Sequence, residues 1–432
     1  MKVLLISENR CQENLIPYPL GIAYVAAAAR EAGHEVRGLD LMFSERPVDD
    51  VLRMVRSFDP QCIGLSVRNL DNQDMHKSEF YLPQVKEIVE AVRSESEALI
   101  VPGGAGFTIF PQECLEYLDL EMGIVGEGER SFVELLRRLE SGLELDDMPG
   151  LALRRDGKTY VNPPGPHAWP GMFPLPDRDI FPVTPYNYIP GQGPPRMANL
   201  QARRGCHLRC IYCTSPRVEG RVMRVRDPRE VADELASLER EHGSRNAVFV
   251  DSLFTYPSDY SEELCREIAS RKLTIKWHCN LNPLYGGPHL LSLLREAGCA
   301  SLSIGNESGS EDILQSLKKG FTKDDVVRSI SEAKRLGFYL NCFLLLGGPG
   351  ENEHTVKESV ELMSELEVDA VRVTVGVRIY PGCELYDIAL RERVISPHQN
   401  LLHPTFYISQ ETSGWLYDYM REVCEEREGW FL

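Results

Sequence analysis

The sequence has no apolar run near the ~18 residues that a membrane-spanning helix needs. Its first hydrophobic stretch, Val3 to Ile6, meets Glu8 and Asn9 too soon to form a signal-peptide core. A cytoplasmic protein without a membrane span is expected. Positive charge is also scarce: 47 Lys and Arg stand against 65 Asp and Glu, a net charge of −18. That balance repels polyanions, so nucleic acid is not an expected partner. With 43% hydrophobic and 26% charged residues, the composition excludes disordered and collagen-like chains. Twelve cysteines without an export signal are expected to remain reduced, and nine of them are scattered singly, as small buried hydrophobes are. A length of 432 residues points to two domains or one large α/β domain.

From residue 1 to about 145, short aliphatic runs alternate with amphipathic stretches. Val3–Ser7, Val36–Leu41, Cys62–Ser66, Leu99–Pro102 and Gly123–Val125 read as strands, and Gly21–Ala32, Asp49–Ser57, Leu82–Arg93, Pro111–Tyr117 and Arg130–Glu140 as helices. Such alternation implies parallel pairing through right-handed crossovers, hence a doubly wound, Rossmann-like or flavodoxin-like α/β domain. Ligands of these sheets bind beyond the carboxyl ends of the strands. Three polar or glycine-bearing turns stand there: Ser66, Arg68 and Asn69; Gly103, Gly104, Gly106 and Phe107; and Gly126, Glu127 and Gly128.

Residues 146–195 form a connector. Leu151–Val161 reads as a hairpin turning at Asp156-Gly157. Eleven prolines between Pro163 and Pro195, with Trp169, Phe173, Phe181, Tyr186 and Tyr188 among them, exclude helix and imply an extended strap. The alternation resumes over 196–390 with strands at Ala198–Arg203, Ala247–Asp251, Ile275–Cys279, Ala300–Ile304, Tyr339–Leu346 and Ala370–Val377. Helices are expected at Pro228–Glu241, Ser261–Ser270, His289–Ala297, Lys323–Leu336 and His354–Leu366. Six strands are two short of a closed eight-fold barrel, so a partial barrel is expected, with its site at the strands' C-terminal ends. Residues 391–432 show no βα unit and are assigned to a small C-terminal cap.

Just past the first barrel strand, Cys206, Cys210 and Cys213 stand in one loop, with three and then two residues between them. Three thiolates so grouped can converge on one iron–sulfur cube and leave its fourth iron open. A structural zinc site would want four ligands, and no second C-x-x-C knuckle exists; His207 could serve only from a cramped position beside Cys206.

This C-x-x-x-C-x-aromatic-C loop resembles that of the radical S-adenosylmethionine superfamily. The resemblance implies that Cys206, Cys210 and Cys213 hold a [4Fe–4S] cluster whose open iron binds S-adenosylmethionine, with Tyr212 along the adenine. Glu307 and Ser308, in Gly305-Asn306-Glu307-Ser308, match a stretch that contacts the cofactor's amino or ribose groups. Asp251 is a further candidate, a helix cap being its other reading. Arg378 could reach a carboxylate in the cavity. Gly347-Gly348-Pro349-Gly350-Glu351 reads as a turn.

A doubly wound domain ahead of such a barrel is similar to the cobalamin-dependent branch of that superfamily. The supporting stretches are Pro19 to Tyr24, Gly103-Gly104 and Gly126-Glu127-Gly128-Glu129. The resemblance implies a corrin lying over the strand edge, facing the barrel mouth. The implied activity is methylation of an unactivated carbon of a small organic substrate, through methylcobalamin and a 5′-deoxyadenosyl radical, with electrons from a donor such as flavodoxin or ferredoxin. One departure is plain: no Asp-x-His-x-x-Gly motif follows the first strand, and Asp74-Met75-His76 imitates only its beginning, so His76 is read as a surface or substrate-side residue. Three other readings stay open: a cobalamin-using cyclase or rearrangement enzyme, a methylthiotransferase with a second cluster on Cys11, Cys62 and Cys114, and a non-catalytic cobalamin or metal carrier. The aromatics Tyr186, Tyr188, Trp415, Tyr417, Tyr419, Trp430 and Phe431 suit an apolar or small organic substrate.

Overall fold

The computed structural model describes residues 1–12, 16–165, 174–187 and 196–432. Trp169, Phe173 and Tyr188 of the expected strap lie outside the described residues. By backbone contacts the chain divides into two compact units. The first comprises Met1–Asn72, Glu79–Met197 and Arg217–Glu219; the second comprises Gln73–Ser78, Ala198–Pro216 and Gly220–Leu432.

Unit one is built on four parallel strands, β1 (Lys2–Ser7), β2 (Glu35–Asp40), β3 (Cys62–Ser66) and β4 (Leu99–Gly103), in the order β2-β1-β3-β4. Val3, Leu4, Leu5 and Ile6 are all buried, as a central parallel strand covered on both faces requires. The crossovers are α1 (Leu20–Glu31), α2 (Pro47–Phe58) and α3 (Leu82–Glu95). In α2 a proline at the first turn sets the start, Val51, Val55 and Phe58 face inward at helical spacing, and a left-handed Asp59 ends it. After β4 come α4 (Ala105–Ile109), α5 (Pro111–Leu118), β5 (Met122–Ile124) and α6 (Gly128–Ser141). Here the expectation needs correcting. β5 does not extend the parallel sheet; it pairs antiparallel with β6 (Leu151–Arg155), which pairs with β7 (Lys158–Val161) around Asp156-Gly157.

Unit two holds a parallel sheet in the order β18-β15-β14-β13-β12-β11-β8. Its strands are β8 (Arg196–Leu200), β11 (Asn246–Phe249), β12 (Lys276–Leu281), β13 (Cys299–Glu307), β14 (Tyr339–Leu346), β15 (Ala370–Val375) and β18 (Trp430–Phe431). A two-residue ribbon, β9 (Arg203–Arg204) against β10 (Arg224–Val225), closes a loop between them. The crossover helices are α7 (Pro228–Arg240), α8 (Ser258–Ser270), α9 (Pro288–Glu296), α11 (Lys323–Arg335) and α12 (Glu353–Leu366), with the short α10 (Glu311–Ser316) after β13. Capping boxes start α11, at Thr322 and Asp325, and α12, at Asn352 and Thr355. On the helix side, Trp277, Cys279, Leu302, Ile304, Leu340, Cys342 and Leu344 are buried. The alternate residues His278, Ser303, Asn341 and Phe343 are half-buried on the opposite face.

The tail supplies more than a cap. The short strand β16 (Val377–Arg378) pairs antiparallel with β17 (Phe406–Tyr407), and α13 (Glu384–Arg391) lies between them in sequence. Helix α14 (Leu416–Glu426) then leads to β18, which joins the sheet in parallel beside β15. Two residues are too short a strand to show a period, which is why the sequence conceals this seventh strand.

Candidate functional site

The loop carrying Cys206, Cys210 and Cys213 is fixed at its base by the β9–β10 ribbon. Gly205 has a positive φ of 95°, and a Cβ there would lie 2.2 Å from the Val222 carbonyl, so no other residue fits. The Cys206 amide donates to the Gly220 carbonyl at 3.1 Å and the Cys213 amide to the Cys210 carbonyl at 3.2 Å. Arg203 anchors the ribbon from beneath. Its fully buried guanidinium lies between the Phe254 and Tyr260 rings and donates to the Tyr256 carbonyl and the Ser261 hydroxyl. Asp251, also fully buried, accepts from the Ala202 and Arg203 amides. It therefore fixes the chain leading into the loop, and it is not the cap of α8, whose N-terminal flank is Pro257.

No disulfide joins the three loop cysteines. Among the described residues no three His, Cys, Asp or Glu side chains are placed to hold a single metal ion. A single ion needs its ligands around one point, whereas a cubane takes each thiolate on a different iron. His207 engages one ring nitrogen away from the loop: its Nε2 pairs with the Tyr285 hydroxyl at 3.0 Å and its ring packs on Tyr256. Three thiolates in one loop, with no second C-x-x-C knuckle in the chain, suit a cluster better than a structural zinc. Burial pushes the Cys210 thiol up to about 11, with Lys319 opposing and the other two loop cysteines adding to the rise. Negative charge is therefore costly in this pocket unless a cation or metal meets it.

Lys319, which the sequence reading overlooked, is that cation. It follows α10, whose last turn approaches the loop where the Ile211 amide donates to the Leu317 carbonyl at 3.2 Å. Its buried ammonium donates to Glu307 Oε1 at 3.1 Å and to the Tyr212 hydroxyl at 3.0 Å, while Tyr212 donates to the same Glu307 oxygen at 3.0 Å. Burial works against the lysine's charge, but Glu307 and Cys210 outweigh it and raise its pKa. Burial and Glu307 together push the Tyr212 hydroxyl well above its ordinary range. Glu307 sits where β13 breaks register with β14, in the left-handed region at φ 63°. A non-glycine residue held there stores strain at a strand end, as functional side chains often do.

The other strand-end candidates divide. Ser308 is fully buried, with its hydroxyl 3.0 Å from that of Ser359, and serves packing against α12. Arg378 does not reach out as expected: it is buried and donates to the carbonyls of Ile379 at 2.8 Å, Leu401 at 2.8 Å and Thr405 at 3.4 Å, which tie down the tail. Helix α13 joins the loop through the Leu385 amide to the Ile211 carbonyl, at 2.9 Å, and through Cys383 Sγ, 3.5 Å from the Cys213 carbonyl. His76 is exposed within unit two and stacks on Tyr417, ring centroids 3.6 Å apart.

Glu351 is a second buried carboxyl. It accepts the Gly347 and Gly348 amides with Oε2, while Oε1 is buried with no hydrogen-bond partner among the described residues. Burial outweighs those two bonds and pushes its pKa up to about 7. The folded state therefore holds the proton more tightly than an unfolded chain, whose Glu titrates near 4.5. Stability from this group is fully present below about 4.5 and is lost as pH rises through about 7. Unfolding in urea at pH 5.5 and 8 should show wild type losing more stability between the two than Glu351→Gln, which keeps the acceptor and has no proton to lose.

In unit one, the strand edge carries the three expected turns. Gly104 turns at φ 95°, where a Cβ would meet the Val67 carbonyl at 2.7 Å. Phe107, expected to line the edge, is fully buried against Gly123 and belongs to the core. Ser66, Asn69, Gly103, Gly126, Glu127 and Gly128 are half-buried, and a Cβ at Gly126 would meet nothing within 4 Å. Small residues and open space suit a broad planar ligand. The sequence reading also missed two acids at this edge. Glu8, at the end of β1, has its pKa pushed up to about 8 by burial, against the pull of Arg10 and Arg68. Asp40, ending β2, accepts from the Tyr186 hydroxyl and is raised by burial. The Arg68 side chain is open to solvent, yet the packed recess around it lowers its pKa, with Cys11, Glu8 and Tyr186 opposing. Cys62 begins β3, at the opposite end of the strand from this edge, and Cys114 is buried in α5. Cys62 and Cys114 are thus not placed at the edge where β1 ends and Cys11 follows.

Comparison with known proteins places these sites in context. The B12 binding domain model matches residues 14–136 and the Radical SAM superfamily model residues 201–363. An uncharacterized methyltransferase of Pyrococcus horikoshii is 26% identical over 87% of this chain and 79% of its own length. Tryptophan 2-C-methyltransferase of Streptomyces laurentii is 26% identical over 88% and 73%. Among solved structures, the radical S-adenosylmethionine methyltransferase TsrM of Kitasatospora setae, with cobalamin and a [4Fe–4S] cluster bound, superposes with a TM-score of 0.80 at 24% identity. The match covers 92% of this chain and 76% of that one.

Proposed function

Because the chain joins a B12-binding domain to a radical S-adenosylmethionine domain, and so belongs with the cobalamin-dependent radical S-adenosylmethionine enzymes, we propose that it methylates an unactivated carbon of a small organic substrate. The observation that carries this reading is the three-cysteine loop faced by the Tyr212–Glu307–Lys319 cluster. Cys206, Cys210 and Cys213 would hold the [4Fe–4S] cluster. When bound, the cluster, S-adenosylmethionine and cobalamin supply an electron, a sulfonium methyl and a carrier for that methyl.

The chain's own residues bind and orient. Lys319 offers the one kind of charge that attracts the carboxylate of S-adenosylmethionine, and Glu307 offers a partner for its ammonium or ribose hydroxyls. Each is held by the other until the cofactor arrives. Tyr212 keeps its proton throughout, since its ionisation is suppressed, and presents an aromatic face. In unit one, Ser66, Arg68, Asn69, Gly103, Gly104, Gly126, Glu127 and Gly128 are the residues we assign to the corrin, through polar groups and close backbone approach.

The polar row Asn280, Ser303 and Asn341, adjacent in register across β12, β13 and β14, exposed at Asn280 and half-buried at the other two, suits a substrate bearing neutral hydrogen-bonding groups. A reducing cytoplasm suits the free thiols, and the net charge disfavours nucleic acid as substrate. The test is a mass search for products in cells or extracts fed methionine carrying a labelled methyl. A product heavier by one labelled methyl supports the proposal; a product of unchanged or lower mass, formed with consumption of S-adenosylmethionine, would mark a cyclase or rearrangement enzyme instead.

A further inference from the structure

A chain of net charge −18 carries an island of opposite sign where the cluster would sit. Residues 203 to 226 contain seven arginines and one acid, Glu219, a local net charge of +6. Four of the seven, Arg203, Arg204, Arg224 and Arg226, are buried and build the base of the loop. The other three, Arg209, Arg217 and Arg221, are exposed. Elsewhere, exposed arginines such as Arg30, Arg56, Arg266 and Arg335 are tied to Asp177, Glu95, Glu262 and Glu332. Arg209 and Arg221 have no carboxylate partner among the described residues; Arg221 donates instead to the Leu208 carbonyl at 3.3 Å. Beside them Val222 is 66% exposed, a large apolar side chain left in solvent next to two unpaired cations.

Unpaired cations around an exposed apolar group match the makeup of a transient protein interface, with charge at the rim and an apolar contact within. Electron transfer falls off steeply with distance, so a donor must dock where the thiolate loop reaches the surface. Arg209 neighbours Cys210 in the chain, and Val222 touches the turn before Cys206. On the proposed reading of this loop as the cluster site, we infer that Arg209, Arg221 and Val222 form the docking surface for a small acidic one-electron carrier protein. One electron leaves the donor and one reduces the cluster; no proton or group is exchanged. The chain's overall negative charge would repel such a donor elsewhere and so restrict docking to this patch.

The test is stopped-flow reduction of the reconstituted protein by a purified acidic flavodoxin, read by cluster absorbance and the electron paramagnetic resonance signal. R209E/R221E should slow the second-order rate about tenfold or more at low salt, with the difference vanishing in concentrated salt. Reduction by uncharged photoexcited deazaflavin should be unaffected, and R209K/R221K should keep most of the rate. An unchanged flavodoxin rate in R209E/R221E, or a parallel loss with deazaflavin, overturns the inference. Wild-type protein that takes up no iron would instead overturn the underlying assignment of the loop, so the two failures are distinguishable.

Discussion

Anaerobically reconstituted Cys210→Ala protein should lose the broad iron–sulfur absorbance and nearly all of its iron. Two remaining thiolates cannot hold a cube that needs three, and no other cysteine is free to replace the lost one: Cys383, near the Cys213 carbonyl, is held at the start of α13. The polypeptide itself should still fold, because Cys210 is a half-buried loop residue that fixes no core element. Thermal unfolding of the metal-free forms should therefore differ by less than about 1 kcal/mol. Iron analysis and visible absorbance check the first part, and circular dichroism the second. Cys265→Ala, a buried thiol on α8, should show the reverse, a packing loss with iron retained.

Lys319→Met should be among the most destabilising single changes in unit two. The lysine and Glu307 side chains are only 8% and 14% exposed, so removing the ammonium leaves a carboxylate enclosed without its counter-charge. Breaking one partner of such a pair costs about 3 kcal/mol. Glu307→Gln alone strands the ammonium and should cost somewhat less, since Tyr212 still accepts from Lys319. The double variant should recover part of the loss, with a coupling of about 1–3 kcal/mol, because neither charge is then stranded. Urea unfolding of the four proteins gives the cycle. Strictly additive losses would mean that the two side chains act independently. Lys319→Met should also weaken binding of S-adenosylmethionine to the cluster-loaded protein.

These expectations rest on features that differ in how openly the sequence displays them. The cysteine spacing, the parallel βα alternation in both halves and the Asp156-Gly157 hairpin are written in local pattern, where period and turn chemistry are enough. Glu307 is singled out only through the resemblance of its Gly305–Ser308 stretch to that of the superfamily. Lys319 is not. Its chemistry arises because α10 returns the chain beside the loop, and a lysine in the turn after a short helix looks like any solvated one until that return is known. Glu8 and Asp40 are hidden in the same way, as strand-end acids whose burial depends on neighbours distant in sequence. Arg378, Ser308 and Phe107 show the opposite case. Position at a strand end marked them as ligand contacts, but tertiary packing gives them to backbone carbonyls, to α12 and to the core. The strand at Gly123–Val125 was visible while its partner was not, because an aliphatic triplet says nothing of parallel or antiparallel pairing.

The most direct measurement is the cobalt and iron content of anaerobically purified protein supplied with cobalamin during expression. About one cobalt and about four iron atoms per chain are predicted, from a single cube and a single corrin. About eight iron atoms with no cobalt would mean a second cluster in place of the corrin, and iron and cobalt both near zero, with about one zinc, would mean that the loop holds a mononuclear ion. Either result would contradict the assignment made for this chain.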